Sequence, residues 1–243
     1  MKTTTLALIA ATSATALLAN SVQAASLDNF GALSGAEFRL LSEDLGAAVS
    51  YKPMIPSEGL GVLGFDIGVG ITGTSLEHRD ILSKAAGGSS VPKLLPVGTL
   101  RAHKGLPFDI DVGLVLGSVA GTDAKLAGGE LRWAFIGGNT LMPAVALRAA
   151  ISNVNGVDDF KLDTTSVDLS ISKGFLMLTP YAGIGKVRVK SKYSGSGVSY
   201  KESFNQDKLF GGVNINLGLM NIALEADKTG DASSYGVKLG LRF

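Results

Sequence analysis

Tyr235-Gly236-Val237-Lys238-Leu239-Gly240-Leu241-Arg242-Phe243 closes the chain and decides how the rest is read. Its odd positions are aromatic or aliphatic throughout, and its even positions are glycine or cationic. Successive side chains of a strand point to opposite faces, so this stretch has one greasy face and one polar or empty face. A helical period fits it less well.

The same alternation recurs upstream. Leu63, Phe65, Ile67, Val69 and Ile71 oppose Asp66 and a run of glycines, and Phe108, Ile110 and Val112 oppose Asp109 and Asp111. Leu131, Trp133 and Phe135 oppose Glu130 and Arg132; Val145 and Leu147 flank Arg148's face; Val167 and Leu169 oppose Asp168. Val187 and Val189 oppose Lys186, Arg188 and Lys190, Val213 and Ile215 oppose Asn214 and Asn216, and Ile222 and Leu224 oppose Glu225 and Asp227. The stretch Leu94 to His103 is the least regular, because Pro96 interrupts it.

Composition narrows what these strands build. Lys2, an apolar run from Leu6 to Leu18 and the small-residue site Val22-Gln23-Ala24 predict a secretory signal over residues 1–24. Its removal leaves 21 basic and 21 acidic residues, so no nucleic-acid partner is expected. There is no cysteine, which rules out a disulfide framework and a lipidated-cysteine anchor. Mean hydropathy is +0.30, yet no mature segment is an uncharged apolar run of the roughly 20 residues a spanning helix needs. An apolar chain without such a helix has either a large core or a barrel that turns alternate residues to lipid.

Connections favour the barrel over a soluble sandwich, which would also alternate. Those at 104–107, 136–140, 174–176 and 219–220 read as tight; those at 75–92, 118–123, 153–159, 192–202 and 228–232 read as longer and more polar. Short turns on one side and longer loops on the other are the habit of outer-membrane barrels. With its alternation and C-terminal aromatic, the segment Tyr235 to Phe243 resembles the terminal strand of small Gram-negative outer-membrane β-barrel proteins. That resemblance implies location in the outer membrane, contact with its lipid and lipopolysaccharide, and recognition by the barrel assembly machinery through Tyr235 and Phe243.

The expected architecture is an all-β, antiparallel, up-and-down transmembrane barrel over residues 61–243. Ten strands put both ends on the periplasmic side; twelve follow if Ala36–Leu41 and Leu45–Tyr51 form a further hairpin. Otherwise residues 25–60 hold a short amphipathic helix, with Phe30, Leu33, Phe38, Leu41 and Leu45 near helical spacing. Pro53 and Pro56 break structure in either case.

The polar faces define the candidate site, a luminal charge network. Its acids are Asp66, Asp109, Asp111, Glu130, Asp168, Glu225 and Asp227; its bases are Arg132, Arg148, Lys186, Arg188, Lys190, Lys238 and Arg242. Charges inside a narrow cylinder should pair, because an unpaired buried charge costs several kcal/mol. The lumen is then largely filled, and the protein is expected to be a structural or narrow-channel barrel passing ions or small solutes at most. Lys186, Arg188 and Lys190 are also the best candidates for contact with an anion or lipopolysaccharide phosphate, if they face the lumen near its outer rim.

Other signals weigh less. Gly68-Val69-Gly70-Ile71-Thr72-Gly73 matches a dinucleotide fingerprint but lacks the parallel strand–helix–strand setting. His78, beside Asp80 in the loop 75–92, raises a surface hydrolase resembling the omptins, and the same loop an adhesin or receptor; no second acidic pair accompanies the histidine. His103 reads as an interfacial residue. No enzyme activity, cofactor or metal is expected from this set.

Overall fold

The structure, a computed structural model, describes residues 29–243; the signal segment expected over 1–24 lies outside them. Ten strands close into one antiparallel barrel: β1 (Phe65–Ser75), β2 (Leu94–Leu106), β3 (Ile110–Val119), β4 (Lys125–Ile136), β5 (Ala144–Asn155), β6 (Phe160–Ser172), β7 (Leu178–Gly195), β8 (Val198–Leu217), β9 (Met220–Thr229) and β10 (Ala232–Arg242). Each strand pairs with its sequence neighbour, and β10 returns to β1 with Ile67 opposite Leu241 and Val69 opposite Leu239. The seam continues past the ladder, where Phe65 and Phe243 exchange both backbone hydrogen bonds at 2.7 and 3.1 Å. The twelve-strand alternative is not formed: residues 35–49 are a helix.

Alternation in the strands places one apolar belt on the outside. Val69, Leu100, Leu114, Leu131, Ile151, Val167, Ile184, Leu209, Leu224 and Leu239 contribute one outward side chain per strand, each 42–67% exposed. In water such a belt would be untenable; in hydrocarbon it is the surface required of a closed barrel, whose backbone groups are all satisfied by neighbouring strands. Phe108, Trp133, Phe135, Phe175 and Phe243 are all exposed at the end where the chain terminates, forming the aromatic girdle of a membrane interface. The molecule is a transmembrane barrel of the outer-membrane type, and its terminal end is periplasmic by the habit of that type.

Two expectations about connections change. Residues 192–202 and 228–232 are not open loops, because β7 and β8 run on to the two-residue turn Ser196-Gly197, and β9 and β10 to Gly230-Asp231. Ser196 and Gly197 both have positive φ (51° and 75°), the twist that a tight hairpin turn needs. The outer end is therefore set apart by the loop 76–93, carrying α2 (Arg79–Ala85), and by the protruding β7–β8 hairpin. Pro96 is accommodated because the β2–β3 ladder begins only at Val97. The glycine-rich β1 pairs antiparallel on both sides, so it offers no nucleotide fold.

The barrel is not hollow. A 3-10 turn at Phe30–Ala32, the helix α1 (Gly35–Val49) and an extended stretch to residue 60 run down its interior from the outer mouth to the periplasmic rim. Ser34 caps α1: its hydroxyl accepts from the Glu37 N–H at 3.2 Å, while the Glu37 carboxylate accepts from the Ser34 N–H at 2.7 Å. The apolar side of α1, with Phe38, Leu41 and Leu45, is buried against inward residues of the outer half of the barrel. Phe30 stacks on Phe160 with ring centres 4.5 Å apart, and Phe38 on Tyr200 at 5.2 Å.

Candidate functional site: the plugged lumen

Residues 50–60 have no secondary structure of their own, so their backbone groups need partners from the barrel wall. The inward charges supply them. Lys208 Nζ donates to the Tyr51 carbonyl at 2.5 Å, and Arg101 to that of Lys52 at 2.5 Å. Arg132 donates to the carbonyls of Pro56 and, at 3.1 Å, Glu58. Acids take the N–H groups: Glu225 accepts from Met54 at 2.7 Å and Asp111 from Leu60 at 3.0 Å. Lys52 itself reaches Asp227 at 2.6 Å and the Ala47 carbonyl at 2.9 Å. The wall reads the plug's main chain as a neighbouring strand would.

Below and beside the plug, charges pair with each other. Asp66 accepts from Lys238 (2.7 Å), Arg242 (2.9 Å) and Asn221 (2.7 Å). Arg148 lies between Glu130 at 3.0 Å and Asp168 at 3.5 Å with no exposed surface, and Arg132 meets Asp111 at 2.5 Å. Tyr51 of the plug hydrogen-bonds His103 at 3.2 Å, and His103 stands 3.4 Å from Glu130.

The structure thus brings Asp66, Asp111, Glu130, Arg132, Arg148, Asp168, Glu225, Asp227, Lys238 and Arg242 into the lumen. Four others expected there lie elsewhere. Asp109 is exposed in the β2–β3 turn, where Phe108 and Asp109 both adopt left-handed backbone and interrupt the strand phase. Lys186, Arg188 and Lys190 point outward, and the inward residues between them are Val187 and Val189, fully buried against the plug. This part of β7 stands above the apolar belt, with water outside and an apolar helix inside, so the rule that puts charge in the lumen reverses. His103, read as interfacial, is luminal and buried.

Missed entirely were Lys52, Arg101 and Lys208. Arg101 was legible in principle, being two residues from His103 and four from Val97 on one strand face. Lys208 lies between the connection at 192–202 and Val213, a stretch without regular alternation, and Pro53 and Pro56 make the surroundings of Lys52 look like a linker.

The outer mouth is closed by α2, which rests on the plug. Asp44 of α1 accepts from the His78 N–H at 2.7 Å, with the His78 ring nitrogen 3.4 Å away. Burial pushes the Asp44 carboxyl up, and the two His78 contacts work against that. His78 thus faces an acid of the plug at the lid's base. Lys84 of α2 donates to both Glu37 oxygens at 2.8 and 3.0 Å. That hydrogen bond, helped by the Ser34 N–H, holds Glu37 at about 2, against an ordinary 4.5.

Because the folded-state value is depressed, the contribution is present above pH 4.5 and lost as pH falls from there through about 2. Proteolysis of the 76–93 loop, followed against pH, should accelerate across that window. Lys84→Gln should flatten this part of the profile, and an unchanged profile would refute the latch.

No family model and no curated relative matches this chain. Among solved structures it is similar to the N-terminal β-barrel domain of Pseudomonas aeruginosa OprF at 12% identity, covering 73% of this chain and 97% of that one, with a TM-score of 0.39. It is also similar to the attachment invasion locus protein Ail of Yersinia pestis (17%, 74% and 97%, 0.35) and to the outer membrane protease OmpT of Escherichia coli (9%, 74% and 95%, 0.42). These are distant similarities of shape, and the function proposed below rests on this molecule's own contacts.

Proposed function

We propose that the protein is a non-catalytic, self-plugged outer-membrane barrel with a structural role, passing ions or small solutes only if its plug withdraws. The observation that carries this reading is the capture of four consecutive-region carbonyls, those of Tyr51, Lys52, Pro56 and Glu58, by buried wall cations. Each such charge-assisted bond contributes on the order of 1.5–3 kcal/mol where both groups are dry. Together they hold the resting lumen shut. The outward exposure of Tyr235 on β10 and of Phe243 just beyond it supports the reading of both as a signal for the barrel assembly machinery.

Planar-bilayer recording tests the reading. The full-length protein should give no conductance steps, while Arg101→Ala combined with Lys208→Ala, which frees two carbonyls of the plug, should give intermittent openings. Steady conductance from the unaltered protein would overturn a plugged resting state. A silent double variant that is folded by heat-modifiability would show that these anchors do not hold the plug.

A further inference from the structure

The reversal on β7 has a second side. On its outward face Leu178, Pro180, Ala182 and Ile184 belong to the apolar belt, and the next outward positions are Lys186, Arg188, Lys190 and Lys192. Outward residues recur about every 6.6 Å along a strand, so the cations begin one step above the last lipid-facing side chain. The neighbours add more. Lys192 lies directly opposite Lys161 on β6 and Lys201 on β8, three lysines abreast on adjacent strands.

Like charges directly opposite each other in a sheet are destabilising. The usual remedy is an interleaved acid, and here it is largely missing. Asp207 pairs with Lys186 at 2.5 Å, and Asp163 is in register with Lys190. Among the described residues, Lys161, Arg188, Lys190, Lys192 and Lys201 have no carboxylate within 4.0 Å. Just beneath them an apolar groove runs along the same face, formed by Val167, Leu169, Ile184 and Leu209 and edged by Lys228 and by the Lys186–Asp207 pair.

We infer that this outward face of β6–β8 docks a phosphate-bearing lipid of the outer leaflet, its acyl part in the groove and its phosphates among Arg188, Lys190 and Lys192. An apolar groove continuous with the lipid-facing belt, topped by excess positive charge, matches a molecule that is greasy below and doubly anionic above. A free phosphate would use the cations and leave the groove idle. The inference is independent of whether the lumen conducts. It also gives the cations a role that the lumen, which they do not face, cannot.

The test uses the full-length protein in nanodiscs of phosphatidylcholine containing a minor fraction of lipid A, with native mass spectrometry counting retained lipid A. Arg188→Ser with Lys190→Ser should weaken retention roughly tenfold or more, since each cation at an anionic surface contributes appreciably. Lys93→Ser with Lys125→Ser removes the same charge from exposed positions outside the patch and should change retention less than about twofold. Equal losses from the two pairs would mean general electrostatics and would overturn the site. So would release of the lipid by millimolar inorganic phosphate, which would show that the cations bind phosphate alone.

Discussion

Replacing Arg148 by methionine should lower the unfolding free energy of the barrel by about 3–5 kcal/mol at neutral pH. Arg148 has no exposed surface and is the cation shared by Glu130 and Asp168. Methionine fills similar space but leaves two buried carboxylates facing each other without a counter-charge, and that asymmetry sets the size of the effect. Urea unfolding in detergent micelles, followed by the fluorescence of Trp133, the chain's single tryptophan, would report it. Neutralising all three positions together, with Glu130→Gln and Asp168→Asn, should recover most of the loss. A single variant within about 0.5 kcal/mol of the parent would refute the pairing.

The second large effect is expected at Gly46, where α1 passes β7. A side chain there would begin 2.6 Å from one methyl of Val189 and 2.8 Å from the other, which leaves no room for it. Gly46→Leu removes a glycine from a helix, a gain of roughly 0.5–1 kcal/mol, but introduces overpacking of about 1–3 kcal/mol. The second term is larger, and it is paid only in the docked state. The variant should therefore show channel openings and faster proteolysis of residues 30–60, with the barrel itself still heat-modifiable. Val189→Ala placed on top of it should restore closure. Silent channels and unaltered proteolysis in the Gly46→Leu protein would mean that this contact does not seat the plug.

How far the sequence could carry this description depends on which solvent each residue faces. Across the belt one face meets hydrocarbon, so β1, β3, β9 and β10 show a clean contrast between outward aliphatics and inward glycines or charges. Above the belt that contrast inverts. The apolar phase of β7 slips from even positions at Ile184 to odd positions at Val187, and that of β8 from the outward Leu209 to the inward Phe204 nearer the outer end. Such a slip within one continuous strand marks the membrane surface, and reading every charge as luminal overlooks it. The helix at 35–49 was visible in its spacing. Its place inside the barrel was not, since the groups by which the following segment is held are main-chain carbonyls and N–H groups, which look the same in every sequence.

The direction in which the plug runs also constrains the order of biogenesis. Asn29 hydrogen-bonds the lid at the outer mouth, while Leu60 is tied to Asp111 near the periplasmic rim, immediately before β1 begins. Lys52 and its partner Asp227 lie between those ends, both buried. The filler precedes β1 in the chain and the β1–β10 seam joins the two ends of the wall, so a wall that curls around its filler and joins that seam last encloses it without threading, with the filler as a mandrel for its own container.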